Sequence, residues 1–180
     1  MSEAIEGLPP APPPKPPRDA SAVIVFRRAA SGVEVFWLER EQRLSFAGGF
    51  FAFPGGKVDK ADAQVPVEGA SGQAAQVIVT AARELFEETG LLIARGGEVD
   101  QPSLDALRTK VLEGGSFGEV LKARGLTLHA ADFVPAGRWL TPPYLQVRFD
   151  ARFFLVEAPV QQQATVWPGE LAAGEWIRPE

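Results

Sequence analysis

The sequence contains no cysteine, only one histidine and no long block of charge of one sign. The absence of cysteine excludes disulfide bonds, thiolate zinc sites and cysteine nucleophiles from this sequence. His129 alone provides no histidine-rich metal site, and a Ser-His-Asp triad could be built only through it. Because His129 lies in a polar stretch between a predicted helix and a predicted strand, we assign it no catalytic role.

The sequence also lacks a long apolar run and a basic surface. A transmembrane helix needs roughly 18 or more consecutive apolar residues, and no such run is present. The net charge is −5, whereas nucleic-acid binding requires a basic face. The acidic, proline-rich N-terminus does not have the pattern of a signal peptide. We therefore expect a cytoplasmic protein that binds neither nucleic acid nor membrane. A phosphate substrate stays compatible, because a bound divalent cation can reverse the local charge.

The remaining composition predicts one folded domain after a proline-rich lead-in. The chain has 180 residues, of which 46% are hydrophobic and 23% are charged, and this suits a single domain with a substantial core. Seven of the first 18 residues are prolines, which favour extended polyproline II conformation over helix or sheet. We predict a disordered lead-in over residues 1–19 and a folded domain over residues 20–180.

Apolar runs bounded by turn residues predict the order of the elements. Strands are expected at residues 22–26, 33–38, 137–140, 147–156 and 175–177. Helices are expected at residues 73–89, 103–113 and 117–124. Ser71 and Ser103 are the predicted N-caps of the first two, and Gly90 is predicted to end the first. Because no regular βαβ repeat is present, the order favours a mixed sheet with helices packed on it.

Three glutamates near the end of the first predicted helix point to a chemical function. Glu84, Glu87 and Glu88 are spaced i, i+3 and i+4, so their carboxylates share one helical face. Mg²⁺ prefers oxygen ligands and would offset the repulsion between these carboxylates. Arg83 lies four residues before Glu87 and can pair with it, while Leu85 points toward the core. Alone, such a cluster is usually a solvated acidic surface, so the neighbouring residues decide between the two interpretations.

The residues around the glutamates resemble the Nudix box of the Nudix hydrolases. The segment R-E-L-F-E-E-T-G-L at residues 83–91 matches the second half of that box, R-E-U-x-E-E-x-G-U with U aliphatic, at every defined position. The segment F-P-G-G at residues 53–56 resembles the glycine loop that opens the box. Such a loop lets the backbone approach a metal ion and substrate phosphates closely.

The spacing inside the box departs from the family pattern. The stretch from Gly56 to Arg83 is longer than usual, which indicates an insertion between about residues 63 and 72. Asp62 then stands at the position of the first glutamate of the box. Counting back from Arg83 instead gives Gly69 and Ala75 at the corresponding positions, without a carboxylate. We prefer the first alignment.

Other segments resemble the Nudix branch that includes coenzyme A diphosphatases. Arg40, with Leu44 and Gly49, is spaced like the coenzyme A signature upstream of the box. R-W-L-T-P at residues 138–142 and R-F-D-A-R-F-F at residues 148–154 also resemble this branch. The resemblance implies a Nudix-like α/β/α sandwich with a mixed sheet. The chain ends where the last helix of that fold should start, so we expect the domain to lack it.

The resemblance also implies a function and its residues. The expected activity is Mg²⁺- or Mn²⁺-dependent hydrolysis of a diphosphate linkage, with coenzyme A or acyl-coenzyme A as the first expected substrate. ADP-ribose, NADH or a dinucleoside polyphosphate are alternatives, and a non-catalytic nucleotide-sensing module is the alternative from another class. Retention of the three glutamates favours an enzyme, and a homodimer is compatible with the sequence.

The implied site residues fall into three groups. The implied catalytic residues are Arg83, Glu84, Glu87 and Glu88. The same glutamates are the implied metal ligands, together with Gly56. The implied substrate contacts are Arg40, Gly55, Gly56, Arg148 and Arg152, and the last two alternate along a predicted strand and so share a face.

Overall fold

A mixed β-sheet forms the centre of the fold. The computed structural model describes residues 15–30, 32–43, 48–97, 99–145, 147–167 and 171–179. In these ranges the strands are β1 Arg18–Ala29, β2 Gly32–Arg40, β3 Phe51–Ala52, β4 Gly55–Lys57, β5 Val67–Glu68, β6 Leu128–His129, β7 Val134–Leu140, β8 Phe149–Glu157 and β9 Leu171–Ile177. The helices are α1 Gly72–Thr89, α2 Gln101–Leu112 and α3 Phe117–Ala123.

The large sheet has the order β3-β2-β1-β8-β7, with β4 also paired to β1 and β9 to β2. β1 and β8 run parallel, and every other pair in this sheet is antiparallel. β5 and β6 form a separate parallel pair. The prediction of an α/β fold with a mixed sheet is therefore confirmed. Because β4 lies directly beside β1, the predicted glycine loop is held at the middle of the sheet.

The first helix is the best predicted element. α1 begins one residue earlier than expected and ends at Thr89 as predicted. Gly90 adopts a left-handed conformation with φ 75°, and its N–H binds the carbonyl of Phe86. Ser71 is the N-cap residue, although its side chain makes no capping hydrogen bond. No helix in the described ranges is long and apolar enough to cross a membrane.

Several predicted boundaries need correction, among them the start of β9 at Leu171 rather than 175 and the start of β8 at Phe149 rather than 147. Ser103 is not the N-cap of α2, because the Asp100 side chain occupies that position and accepts a hydrogen bond from the Ser103 N–H at 3.0 Å. Arg18 and Asp19 belong to β1 rather than to a disordered lead-in, because both pair with β8. β7 begins at Val134, earlier than the predicted 137. Residues 1–14 lie outside the described residues.

The core lies between one face of the sheet and α1. The buried sheet side chains are Val23, Val25, Phe36, Leu38, Phe154 and Val156, and the helix buries Val77, Ile78, Ala81, Ala82, Leu85 and Phe86. The Ser21 hydroxyl also donates to the carbonyl of Val77 at 2.6 Å and ties β1 to α1. Because the apolar stripe of α1 faces the sheet, the glutamates are turned toward the β4 loop and a neighbouring cleft.

Candidate active site

The loop at the start of β4 contacts two of the three glutamates directly. The Gly55 N–H donates to Glu88 Oε2 at 2.9 Å. Gly56 lies against Glu84 so closely that an added Cβ would be 2.6 Å from Glu84 Oε2. At Gly55 an added Cβ would overlap the carbonyl oxygen of Ser21. Close approach to the backbone of β1 therefore requires glycine at position 55, whereas a side chain at position 56 would displace the Glu84 carboxylate.

Arg83 is the centre of an ion-pair network beneath the glutamates. Its Nε donates to Asp62 Oδ1 at 2.9 Å, and its Nη1 donates to Glu84 Oε1 at 2.8 Å. The predicted pair with Glu87 is present, with Nη1 3.3 Å from Oε2. Burial disfavours the charged form of Arg83. The hydrogen bond to Asp62 and the three nearby carboxylates outweigh this effect and raise its pKa. Arg83 is thus a permanent cation that fixes the rotamers of two glutamates.

Asp62 acts on this network from a short 3-10 turn, Lys60–Gln64. It is 2% exposed, and its carboxylate accepts hydrogen bonds from the Thr80 hydroxyl at 2.7 Å and the Asp59 N–H at 3.0 Å. The same carboxylate also accepts hydrogen bonds from two nitrogens of Arg83, Nε and Nη2. Its contacts in the described structure are therefore with Arg83 and with its supports, so it positions the arginine. Sequence reasoning missed Thr80, although its spacing to Arg83 on one helical face was a usable signal.

The glutamates themselves are crowded and poorly hydrated. Burial raises the pKa of Glu88 to about 8, and the charges of Glu84 and Glu87 add to this effect. The Gly55 hydrogen bond and the Arg40 charge oppose it. Burial also raises the pKa of Glu87, with Arg83 opposing the shift. A nearby cation would favour the ionised forms of these carboxylates.

This set of groups suits a hard divalent cation. Carboxylate and main-chain oxygens are the donors that surround the loop, and such donors select Mg²⁺ or Mn²⁺ over softer metals. Within the described part of the chain, no three acidic or histidine side chains already converge on one metal position. Arg83 instead holds Glu84 and Glu87, and Gly55 holds Glu88. Metal binding would therefore require these carboxylates to exchange protein donors for the ion.

Among the predicted substrate contacts, Arg40 lies near the glutamates. It ends β2, its charge lowers the pKa of Glu88, and its Nε is buried without a hydrogen-bond partner in the described structure. The other two arginines contact different groups. Arg152 pairs with Asp19 at 3.0 Å, and Arg148 donates to main-chain carbonyls, one of them that of Thr141 at 3.2 Å. The structure thus places Arg40, but neither Arg148 nor Arg152, in electrostatic contact with Glu88.

A cleft of about 430 Å³ opens beside Glu84 and Glu87. Lys57, residues 114–116 and the first two residues of α3 also line it. Sequence analysis missed these residues, because none of them belongs to the glutamate motif. A cavity of about 510 Å³ elsewhere is lined by Phe26, Ile93 and Leu155. We take the smaller cleft as the candidate active site because Glu84 and Glu87 line it.

Comparison with known proteins agrees with this geometry. The chain is 33% identical to a NUDIX hydrolase from Alicyclobacillus acidocaldarius of known crystal structure. That match has a TM-score of 0.78 and covers 89% of this chain and 78% of the other. The chain is also 26% identical over 166 residues to putative nudix hydrolase 7 of Caenorhabditis elegans, covering 91% of this chain and 52% of that protein. It therefore spans about half the length of this curated relative.

A MutT/nudix family protein from Enterococcus faecalis shares the fold alone, with a TM-score of 0.55 and 12% identity over 92% of this chain and 45% of the other. No family model matches the sequence. The identity and coverage shared with the Alicyclobacillus hydrolase nevertheless decide the assignment. The chain belongs to the Nudix hydrolase family.

Proposed function

We propose that this protein is a divalent-metal-dependent hydrolase that cleaves the diphosphate linkage of a nucleoside-diphosphate derivative. The observation that carries the proposal is the contact of Glu84 and Glu88 of α1 with the Gly55–Gly56 loop, next to a cleft that Glu84 and Glu87 line. The raised pKa values of Glu87 and Glu88 support it, because a cation would relieve the repulsion that contributes to them.

In this proposal Glu84, Glu87 and Glu88 hold Mg²⁺ or Mn²⁺ with help from the backbone at Gly56. The ion supplies charge neutralisation at the diphosphate, which is the main requirement of phosphoryl transfer. Arg83 keeps the carboxylates of Glu84 and Glu87 in position. The absence of a side chain at Gly56 leaves room for the Glu84 carboxylate beside the loop backbone.

The first substrate that we propose is coenzyme A or an acyl-coenzyme A. Support comes from Arg40, whose charge acts on Glu88 and whose Nε is buried without a hydrogen-bond partner in the described structure. This N–H could donate a hydrogen bond to a phosphate oxygen. Support for the box insertion comes from residues 63–72, which include β5 paired with β6. Asp62 just before them still bonds Arg83, as expected if the extra residues loop out of the box.

ADP-ribose, NADH and dinucleoside polyphosphates are the alternative substrates, and a nucleotide-sensing module without catalysis is the alternative function. The retained glutamate set favours catalysis over sensing. A cytoplasmic location, a homodimer and a single folded domain over residues 20–180 stay predictions.

The decisive experiment incubates the protein with Mg²⁺ or Mn²⁺ and coenzyme A, acetyl-coenzyme A, ADP-ribose, NADH or a dinucleoside tetraphosphate, with products followed by chromatography. Glu87→Gln removes one proposed ligand, and Glu113→Gln is the matched control because that carboxylate is exposed at the end of α2. We expect metal-dependent cleavage that falls by roughly 100-fold in Glu87→Gln, as for loss of a group that stabilises transition-state charge, and no change in Glu113→Gln. Binding without turnover would favour the sensing module. Equal loss in both variants would contradict the proposed site.

A further inference from the structure

A buried arginine of α2 holds the end of α1 that carries Glu87 and Glu88. Arg108 is 2% exposed. Its Nε donates to the main-chain carbonyl of Glu87 at 2.9 Å, and its Nη1 donates to the carbonyl and the hydroxyl of Thr165, each at 3.0 Å. The Thr165 N–H donates in turn to the carbonyl of Thr89 at 2.8 Å. Arg108 and Thr165 together bind two of the last carbonyls of the helix.

These contacts complete the end of α1. The last four carbonyls of a helix lack partners within the helix, and the Gly90 N–H binds only that of Phe86. Arg108 takes the next carbonyl along the chain, and its positive charge interacts favourably with the negative end of the helix dipole. Because the side chains of Glu87 and Glu88 extend from this turn, fixing its backbone fixes the origin of both carboxylates.

Stability alone is a weak reason for an arginine at this position. Burial lowers the pKa of Arg108, although the charges of Asp105 and Glu88 oppose the shift. In the described structure no carboxylate forms a hydrogen bond with Arg108, and its Nη2 is buried without a partner. A buried cation that lacks a hydrogen-bonded anion is costly compared with an apolar side chain of similar volume. The guanidinium also lies 5.6 Å from the centre of the Trp167 ring, but its hydrogen bonds are directed at the end of α1 and at Thr165.

We propose that Arg108 is a positioning residue of the active site, which holds the last turn of α1 where Glu88 contacts the Gly55 N–H and Glu87 lines the cleft. The inference rests on the proposed function, because it assumes that these carboxylates bind a cation. Arg108 acts through the backbone of Glu87 and through Thr165, and it has no assigned contact with substrate.

Three variants test this role. Arg108→Met keeps the volume but removes the donors, Arg108→Lys keeps the charge and one donor, and Val111→Ala is the control. Val111 is 6% exposed on the same helix, so its truncation weakens packing without removing a contact to Glu87. The measurements are the Mn²⁺ dissociation constant, followed by electron paramagnetic resonance, together with kcat, KM and Tm. Binding and kinetics are measured well below each Tm.

We expect Arg108→Met to weaken Mn²⁺ binding about 10-fold and to lower kcat by about as much, the usual effect of losing a group that orients metal ligands. KM should stay unchanged because Arg108 does not contact substrate. Arg108→Lys should recover most of both losses. Val111→Ala should lower Tm through the cavity it creates while leaving the Mn²⁺ dissociation constant and kcat at wild-type values.

Wild-type Mn²⁺ binding and kcat in Arg108→Met would overturn the inference, as would equal losses in Val111→Ala. If Arg108→Met does not fold, Thr165→Val replaces it, since valine keeps the N–H bond to Thr89 but loses the hydroxyl that Arg108 binds. Unchanged Mn²⁺ binding in Thr165→Val would then overturn it. A wild-type protein that neither binds Mn²⁺ nor cleaves any diphosphate would refute the proposed function and the inference together. Wild-type activity with an indifferent Arg108→Met would refute the inference alone.

Discussion

The substitution Gly56→Ala separates damage to the proposed active site from damage to the fold. An alanine Cβ at this position would lie 2.6 Å from Glu84 Oε2, and the other atoms of the carboxylate are closer still. Ordinary contact begins at 3.4 Å, so the carboxylate must move by about 1 Å. A displacement of that size at a catalytic group can lower the rate by about 100-fold. We therefore expect kcat to fall by roughly two orders of magnitude.

The fold should tolerate this alanine. Gly56 is not among the glycines with positive φ, so its backbone conformation is open to alanine, and the side chain that must give way is the flexible end of Glu84. Replacing glycine in a compatible conformation stabilises a protein by about 0.4–1 kcal/mol through the unfolded state, which offsets part of the displacement cost. The midpoint of thermal unfolding should consequently change little.

Gly55→Ala is the matched control, one residue earlier in the same loop. Its Cβ would overlap the Ser21 carbonyl oxygen and lie 2.7 Å from Ala22 Cα, and both atoms belong to the backbone of the central strand. Overpacking against groups that cannot move costs about 1–3 kcal/mol. Urea unfolding should thus show a clear loss in Gly55→Ala and almost none in Gly56→Ala.

The assay pairs steady-state kinetics with circular dichroism and urea unfolding on both variants. A Gly56→Ala protein with wild-type kcat would refute the argument that this position must be empty for Glu84 to be placed correctly. A Gly56→Ala protein as unstable as Gly55→Ala would show that the residue serves the fold instead.

Three further results are expected. Asp62→Asn should lower the free energy of unfolding, measured in urea, by about 3 kcal/mol, because it leaves the largely buried Arg83 without the carboxylate that its Nε binds. A loss below about 1 kcal/mol, which is typical of an exposed ion pair, would contradict this. In EDTA, the free energy of unfolding of the wild type should fall as pH rises from about 5 to 8. The folded-state pKa of Glu88 is raised to about 8, whereas the unfolded chain releases this proton at lower pH. In urea unfolding, the difference in stability between Glu88→Gln and wild type should grow over this window, and a difference that does not change with pH would refute the prediction. Mn²⁺ at about 100 times its dissociation constant should add roughly 2.7 kcal/mol to the stability of the wild type and almost nothing to that of Glu87→Gln. If Mn²⁺ raises the Tm of both proteins equally, the ion binds elsewhere.

The parts of the fold set by local pattern were predictable. α1 was correctly placed because its apolar stripe and Gly90 act within a few residues of one another. The strands β3, β4, β5 and β6 were not predicted. Each has two or three residues, and such short strands exist only because a neighbour supplies the hydrogen bonds. Arg18 was assigned to the lead-in for the same reason, since its partner Phe149 lies far along the chain.

In the candidate active site, too, contacts between residues close in sequence were predictable and contacts between distant residues were not. The i, i+4 spacing correctly predicted the Arg83–Glu87 pair. The shorter contact to Asp62 spans 21 residues, and so does the bond from Arg108 to Glu87. No helical spacing rule reaches that far, so the contact of Asp62 with Arg83 and the role of Arg108 became visible only in the folded chain. The shared face of Arg148 and Arg152 did not reveal that Arg152 pairs with Asp19, because that contact depends on the register between β1 and β8.

The parallel pairing of β1 with β8 also has a consequence for the speed of folding. The Arg152–Asp19 contact joins residues 133 positions apart, so the central strand gains its second long neighbour only after most of the chain has been synthesised. Pairing over such distances loses loop entropy before it gains contacts, and it slows folding. Since β4 and α1 pack on the same strand as β8, the glutamates and the glycine loop should reach their final positions only when the sheet is complete. Refolding experiments should then show secondary structure well before the ability to bind Mn²⁺.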